Sequence, residues 1–498
     1  MRRSGLAGAA GLLLLGPTAL AFFTGGYFAG PRAWAGVGAW ACVVIAVLAD
    51  ARVPAGRAAR LAIGALGLLA LWTLLSILWA PIAGSAYGAG QITVLYLGVL
   101  IAAAMLTRGR VLAWVEPTLA VGALIVVGYG LAGRLLPGVL HYARSVSADG
   151  RLEQPLTYWN AMGELAALGF VLWVRLGGDV RRPRWLRAAA AAAAAPHGLG
   201  LWISFSRGAL FACAAGLITL IVVAARTPQL WALVRAVAIG ALATVAGAPF
   251  AGVASLSGGQ SARERQGLIV LALLVAIAVA GAAVAYVRMR REGDRPLALP
   301  RRAPALATGL IIAGLALAIV VGARESGGVA SLSSGAGRLA TLQSDRYAYW
   351  SVALRAFLRD PVQGVGAGGW SVDWLRWRHI HEAAQDAHSL PLQTLAELGL
   401  VGLGLLLAFA SAVVLAARRA LRVSAAAAGP TAALLVYAAH APLDWDWQMP
   451  AVTLVAVVLA GAVLALADDG RGSVGLAQPA SGGADRAIAP RRSAAPRA

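Results

Sequence analysis

The chain contains no lysine and only two cysteines in 498 residues, and just 13% of its side chains are charged. Each scarcity excludes something. Soluble globular chains carry about 25% charged residues, so this chain cannot be a soluble multidomain protein. Cys42 and Cys213 fall inside apolar stretches far apart in sequence, so neither a disulfide nor a cysteine metal site is expected. Without lysine, the net charge of +21 rests on arginine. Arginines beside apolar runs are what membrane topology requires, and this accounts for the basic balance without a nucleic-acid partner. There is also no Walker loop, no Ser-His-Asp order and no Cys/His metal spacing.

What is abundant is apolar. Hydrophobic residues make up 60% of the chain and the mean hydropathy is +0.75. A bilayer core roughly 30 Å thick needs about 20 apolar residues per helix. By that measure spans are expected near 6–29, 33–49, 59–80, 88–106, 112–133, 157–174, 188–205, 208–225, 230–249, 267–287, 303–322, 390–416, 427–441 and 449–467. The fold class is therefore an all-α polytopic membrane protein with 12–14 transmembrane helices. The alanine-rich span after Arg187 and the short one before His440 are the least regular. Arginine placement orients the set. With the N-terminus inside, alternate connections down to Arg422 hold 23 arginines and the short connections opposite hold seven. An excess on one side marks the cytoplasmic face, so both termini are expected in the cytoplasm.

The N-terminus has the basic start and apolar run of a signal peptide, with Ala33-Trp34-Ala35 as a possible cleavage site. The many spans that follow favour an uncleaved first helix. The chain divides into a bundle over 1–322, an extracytoplasmic segment over 323–389, further spans over 390–467 and a disordered cytoplasmic tail over 468–498. In the polar segment, Ser344 is a plausible N-cap for a helix. Trp350, Leu354 and Phe357 lie at helical spacing, and Pro361 ends the helix. Trp370, Trp374 and Trp377 form a second stripe, expected to lie in the membrane interface.

Polar groups near bilayer depth are costly, so their placement is informative. The topology brings Arg144, Arg151, Asn160, Glu164, Ser206, Arg207, Arg346, Asp386, His388, His440, Asp444 and Asp446 to the outer face. Arg207, in a tight Ser-Arg-Gly turn, either snorkels to headgroups or binds an anion. Arg346 opens a helix at the end where a cation is mismatched with the dipole; it is either a solvated helix end or a ligand for an anion that would repair the mismatch. His388 precedes a span that has Pro391 in its first turn. An imidazole there either faces headgroups or accepts a proton from a hydroxyl, with Asp386 or Glu382 to orient it. Asp444 and Asp446 form an Asp-x-Asp pair with few further oxygen ligands in reach, so no metal is expected. Arg151, Asn160, Ser206, Asp386, Ser389 and Asp444 are the substrate-binding candidates.

"SDRYAYWSVALRAFLRDPVQGVGAGGW" followed by "DAHSLPLQTLAELGLVGLG" resembles the signature region of the O-antigen ligase and polymerase family of membrane glycosyltransferases. "RLEQPLTYWNAMGELAALG" and "ISFSRGALFA" resemble that family's two upstream motifs, in order. The resemblance implies a GT-C-like enzyme of the bacterial cytoplasmic membrane, free of cofactor and metal. Such an enzyme moves a glycan from an undecaprenyl-pyrophosphate carrier to an acceptor hydroxyl on a glycan, lipid or protein. By motif position, Arg207 and Arg346 match the arginines that engage the donor pyrophosphate, and His388 matches the histidine that activates the acceptor. Ser389 stands where the family usually has asparagine. A flippase of lipid-linked glycans and a non-catalytic envelope scaffold are the alternatives.

Overall fold

The computed structural model describes residues 2–142, 145–325, 339 and 344–475. Arg144 and the expected tail beyond Gly475 lie outside the described residues. Seventeen α-helices and no strand occur among those described: α1 (Arg2–Ala21), α2 (Ala29–Leu48), α3 (Arg57–Leu75), α4 (Ala83–Leu106), α5 (Leu112–Leu135), α6 (Trp159–Gly178), α7 (Arg184–Ile203), α8 (Arg207–Val223), α9 (Thr227–Gly247), α10 (Ala251–Ala254), α11 (Gln260–Arg288), α12 (Ala303–Glu325), α13 (Arg346–Arg359), α14 (Gly369–Trp377), α15 (Leu390–Val423), α16 (Ala428–His440) and α17 (Pro450–Gly475). Every expected span coincides with a helix. Ten are long and apolar enough to cross a membrane, and the regions Arg207–Val223 and Ala303–Leu317 are shorter apolar helices. The chain is a multi-pass membrane protein. Helices satisfy every interior backbone group within one segment, which is what a solvent without hydrogen-bond partners demands.

Burial separates the helices into an inner and an outer set. Residues Asn160–Gly178 of α6 and Ala451–Ala467 of α17 are buried on all faces. The outer helices α1, α2, α9 and α11 expose Leu12, Trp34, Val37, Val245, Val275 and Val279. An apolar surface of that kind suits lipid contact rather than water. The alanine run of α7 also has a packing reason. This helix lies among α6, α9 and α11, and a side chain on Gly198 would stand 2.4 Å from the Gly240 Cα. Small residues let membrane helices approach this closely.

The segment between α12 and α15 folds around its own core. Tyr349, Val352, Ala353 and Ala356 of α13 pack on Trp370 and Trp374 of α14 and on Ala387 and Ala396. Two expectations are corrected here. The tryptophan stripe is not laid in the membrane interface: Trp370 and Trp374 are fully buried and stacked at 5.5 Å, and only Trp377 is half-buried, beneath Arg355 and Arg359. The packed face of α13 is also rotated from the anticipated one. Leu354 and Leu358 point outward, and small residues face the indoles. Two stacked indoles fill the core by volume; Tyr349 meets both edge-on at 6.0 and 4.9 Å, and the rest of the facing surface is Val and Ala.

α15 is a broken rather than a continuous span. At Gly399 the backbone turns to φ 63° and ψ −160°, a region essentially closed to residues with a side chain. The loop before α14 docks onto this break. Val365 and Gly366 donate to the Ala396 and Glu397 carbonyls at 3.0 and 2.8 Å, and the Leu400 amide donates to Pro361 at 2.9 Å. The first turns of α15 thus pack with α13, α14 and the loop between them, and His388 lies just before these turns.

Candidate functional site

Four chain segments meet at one end of the bundle. α8 begins with Arg207, and Ser206 caps it by accepting from the Ala209 amide at 3.2 Å. α13 begins with Arg346. The start of α6 supplies Tyr158, Asn160 and Glu164, and the turn after α16 supplies Asp444, Trp445 and Asp446. Both arginines therefore stand at helix N-termini, where backbone N–H groups and the dipole add positive potential.

Asp444 is the centre of the polar network. It is fully buried and accepts from Arg346 Nη2 at 2.6 Å, the Tyr158 hydroxyl at 2.6 Å and the Trp445 amide at 2.9 Å. Asn160 Nδ2 donates in turn to the Tyr158 hydroxyl at 2.8 Å. Burial by itself would raise the Asp444 carboxyl, but the Arg346 charge, aided by His388 and His440, outweighs it and holds the group below the usual range. Burial opposes the Arg346 charge and Asp444 again outweighs it, so the guanidinium is held more firmly protonated. Burial and the neighbouring Asp444 push the Tyr158 phenol well above its usual value, so it remains a donor.

His388 packs near Trp445 and Tyr349. It is half-buried, with a left-handed backbone at φ 51°. Its ring sits 5.0 Å from Tyr349 and 6.1 Å from Trp445. Nδ1 is 2.9 Å from the Asp386 carbonyl. A carbonyl only accepts, so Nδ1 carries the hydrogen, and in the neutral imidazole Nε2 is the nitrogen left with a lone pair. Asp386 orients the imidazole as anticipated, but through its backbone rather than its carboxylate. That carboxylate accepts from Gln393 Nε2 at 2.7 Å. Burial raises it, while Gln393 and His388 act in the opposite sense without cancelling the effect. Glu382 serves Tyr349 instead, accepting from its hydroxyl at 2.7 Å.

The other candidates are placed as follows. Arg151 is buried, donates to the Ala148 and Ser147 carbonyls, and lies 3.5 Å from the Trp159 ring centre. It braces the loop leading into α6. Ser389 is buried at the start of α15 and makes no side-chain cap there; the adjacent Leu390 amide donates to the Ala441 carbonyl at 2.9 Å. The Asp-x-Asp carboxylates part company: Asp444 turns to Arg346, while Asp446 lies 2.5 Å from His440 Nδ1. Glu164 joins that second group, its carboxylate 3.4 Å from His440 Nδ1. Glu164, His440 and Asp446 are fully buried with ligand atoms within 4.8 Å of one another, so these residues could hold a metal ion. Tyr158 and Gln393 went unrecognised in the sequence, whereas the loop of Trp445 was legible as a Trp-rich polar turn over the site.

Residues 250–407 match the model of the O-antigen ligase family. This supports an O-antigen ligase family assignment. The match takes in Arg346, Asp386, His388 and Ser389; Arg151, Asn160, Ser206, Arg207 and Asp444 lie outside it. No curated protein matches the chain. The O-antigen ligase family suggests glycosyl transfer at a membrane, and the two residues most suited to that chemistry, Arg346 and His388, fall within the matched region.

Proposed function

We propose that the protein transfers a glycan from a polyprenyl-pyrophosphate carrier, undecaprenyl pyrophosphate in a bacterial cytoplasmic membrane, to an acceptor hydroxyl at the outer face. The reading rests on one observation above all. The His388 ring packs 6.1 Å from Trp445, the Arg346 guanidinium bonds the adjacent Asp444, and both residues belong to the matched region.

The acceptor oxygen attacks the anomeric carbon while the bond to the pyrophosphate oxygen breaks. The hydroxyl proton passes to His388 Nε2, and pyrophosphate leaves with the bonding electrons. Arg346 and Arg207, each at a helix N-terminus, bind and neutralise the leaving group; fixed cations in a dry site stabilise developing charge without reorganising. A single displacement inverts the sugar carbon. No step calls for a metal.

The test uses purified protein with a lipid-linked glycan donor. H388A loses transfer by ~10²–10⁴-fold, the usual contribution of a general base, and still binds donor. Transfer by H388A at the wild-type rate would sink the base assignment, and absence of transfer by the wild-type protein would favour a flippase or scaffold. Transfer persists in excess chelator; its loss there would turn attention to Glu164, His440 and Asp446.

A further inference from the structure

The start of α9 lies at the opposite end of the bundle from the site, because α8 carries the chain ~25 Å across over its 17 residues. There the connection after α11 folds back and is strapped to the α8–α9 turn. The Thr227 amide donates to the Arg295 carbonyl and the Leu297 amide to the Ala225 carbonyl, both at 2.9 Å. The Thr227 hydroxyl donates to the Gly293 carbonyl at 2.7 Å. A cavity of about 690 Å³ lies between this strap, α9 and α11.

Its lining has two characters. Trp231, Val234 and Val284 form an apolar wall and are about half exposed. Arg288, Arg291 and Arg295 line the same cavity. The two acidic residues of the strap are already engaged, Glu292 by Arg235 and Asp294 by Arg226. Arg288, Arg291 and Arg295 are exposed and form no ion pair among the described residues. Topology asks for positive charge at this face. It does not ask for a strapped loop that gathers three unpaired guanidinium groups around a cavity with an apolar wall.

We propose that this cavity is a binding site for an anionic glycerophospholipid, its phosphodiester held by Arg288, Arg291 and Arg295 and its acyl chains lying along Trp231, Val234 and Val284. Guanidinium groups are matched to phosphate oxygens, and basic pockets between membrane helices take anionic headgroups. The apolar wall selects a lipid over a free anion, because inorganic phosphate gains nothing from it. The inference is independent of the glycosyl-transfer reading.

The experiment is native mass spectrometry of the full chain in neutral detergent, titrated with phosphatidylglycerol or phosphatidylcholine. Phosphatidylglycerol binds selectively, at one equivalent. The triple variant R288Q/R291Q/R295Q weakens it by about 100-fold, the product of roughly fivefold per arginine at a phosphate-bearing surface. V284W, which fills the apolar side and leaves the arginines intact, also weakens it, so the result does not depend on whether the triple variant folds. Equal binding of the two lipids overturns the proposal. So does wild-type affinity in V284W, or displacement of the lipid by inorganic phosphate alone.

Discussion

Replacing Asp444 with asparagine keeps the shape of the side chain and removes its charge from a position with no solvent exposure. Asp444 accepts from Arg346, Tyr158 and the Trp445 amide, so D444N turns the 2.6 Å contact to Arg346 into a neutral-acceptor hydrogen bond. Hydrogen bonds to charged groups contribute about 1.5–3 kcal/mol. At roughly 1.4 kcal/mol per decade, that range corresponds to a ~10–150-fold loss of transfer if the pair holds Arg346 in place for the donor. R346Q, which removes the guanidinium itself, loses at least as much. If Asp444 acts only through Arg346, the double variant is no worse than R346Q alone, because interacting residues are non-additive. The assay is kcat/KM for glycan transfer by the four proteins, with donor binding measured separately. A double-variant loss equal to the product of the single losses would refute the positioning role, and so would full activity in D444N.

Two further outcomes follow from the same geometry. G399A is expected to be poorly folded, since its backbone conformation strains any residue with a side chain by about 1–3 kcal/mol, and a Cβ there would stand 2.2 Å from the Val362 carbonyl oxygen. G404A, in the same helix with open space around the added methyl, is the control; equal detergent unfolding midpoints for the two would contradict the argument. D386N should raise the unfolding midpoint at neutral pH. The Asp386 carboxyl titrates above its ordinary value, so its contribution to stability is full below about pH 3.9 and is lost as pH rises through the folded pKa. The advantage of D386N should therefore disappear on acidification, and an advantage independent of pH would refute it.

Much of the architecture could be read along the chain because the bilayer imposes a one-dimensional rule. Fourteen apolar runs each became a helix. The arginine asymmetry had already gathered Arg207, Arg346 and His388 on one face before any packing was known. What could not be read was anything that depends on which side of a helix meets which neighbour. The stripe of Trp350, Leu354 and Phe357 marked α13 as amphipathic, but its fully buried side is Tyr349, Val352, Ala353 and Ala356, with Trp350 only partly packed and Leu354 exposed. Periodicity gives a spacing, and the shape of the partner, here two stacked indoles, chooses the face.

The site divides in the same way. Residue type and position along the membrane determined the candidates, because an ionisable group at bilayer depth is too costly to keep without a partner or a task. Only the tertiary structure decided the pairings. Asp444 is joined to Arg346 across 98 residues and to Tyr158 across 286, while Asp446, two positions along, turns to His440 and Glu164. Adjacent carboxylates on a turn point in different directions, and the long-range fold alone sets what each one meets. The orientation of the His388 ring, by contrast, is set locally: Nδ1 meets the Asp386 carbonyl two residues back, where the backbone turns left-handed.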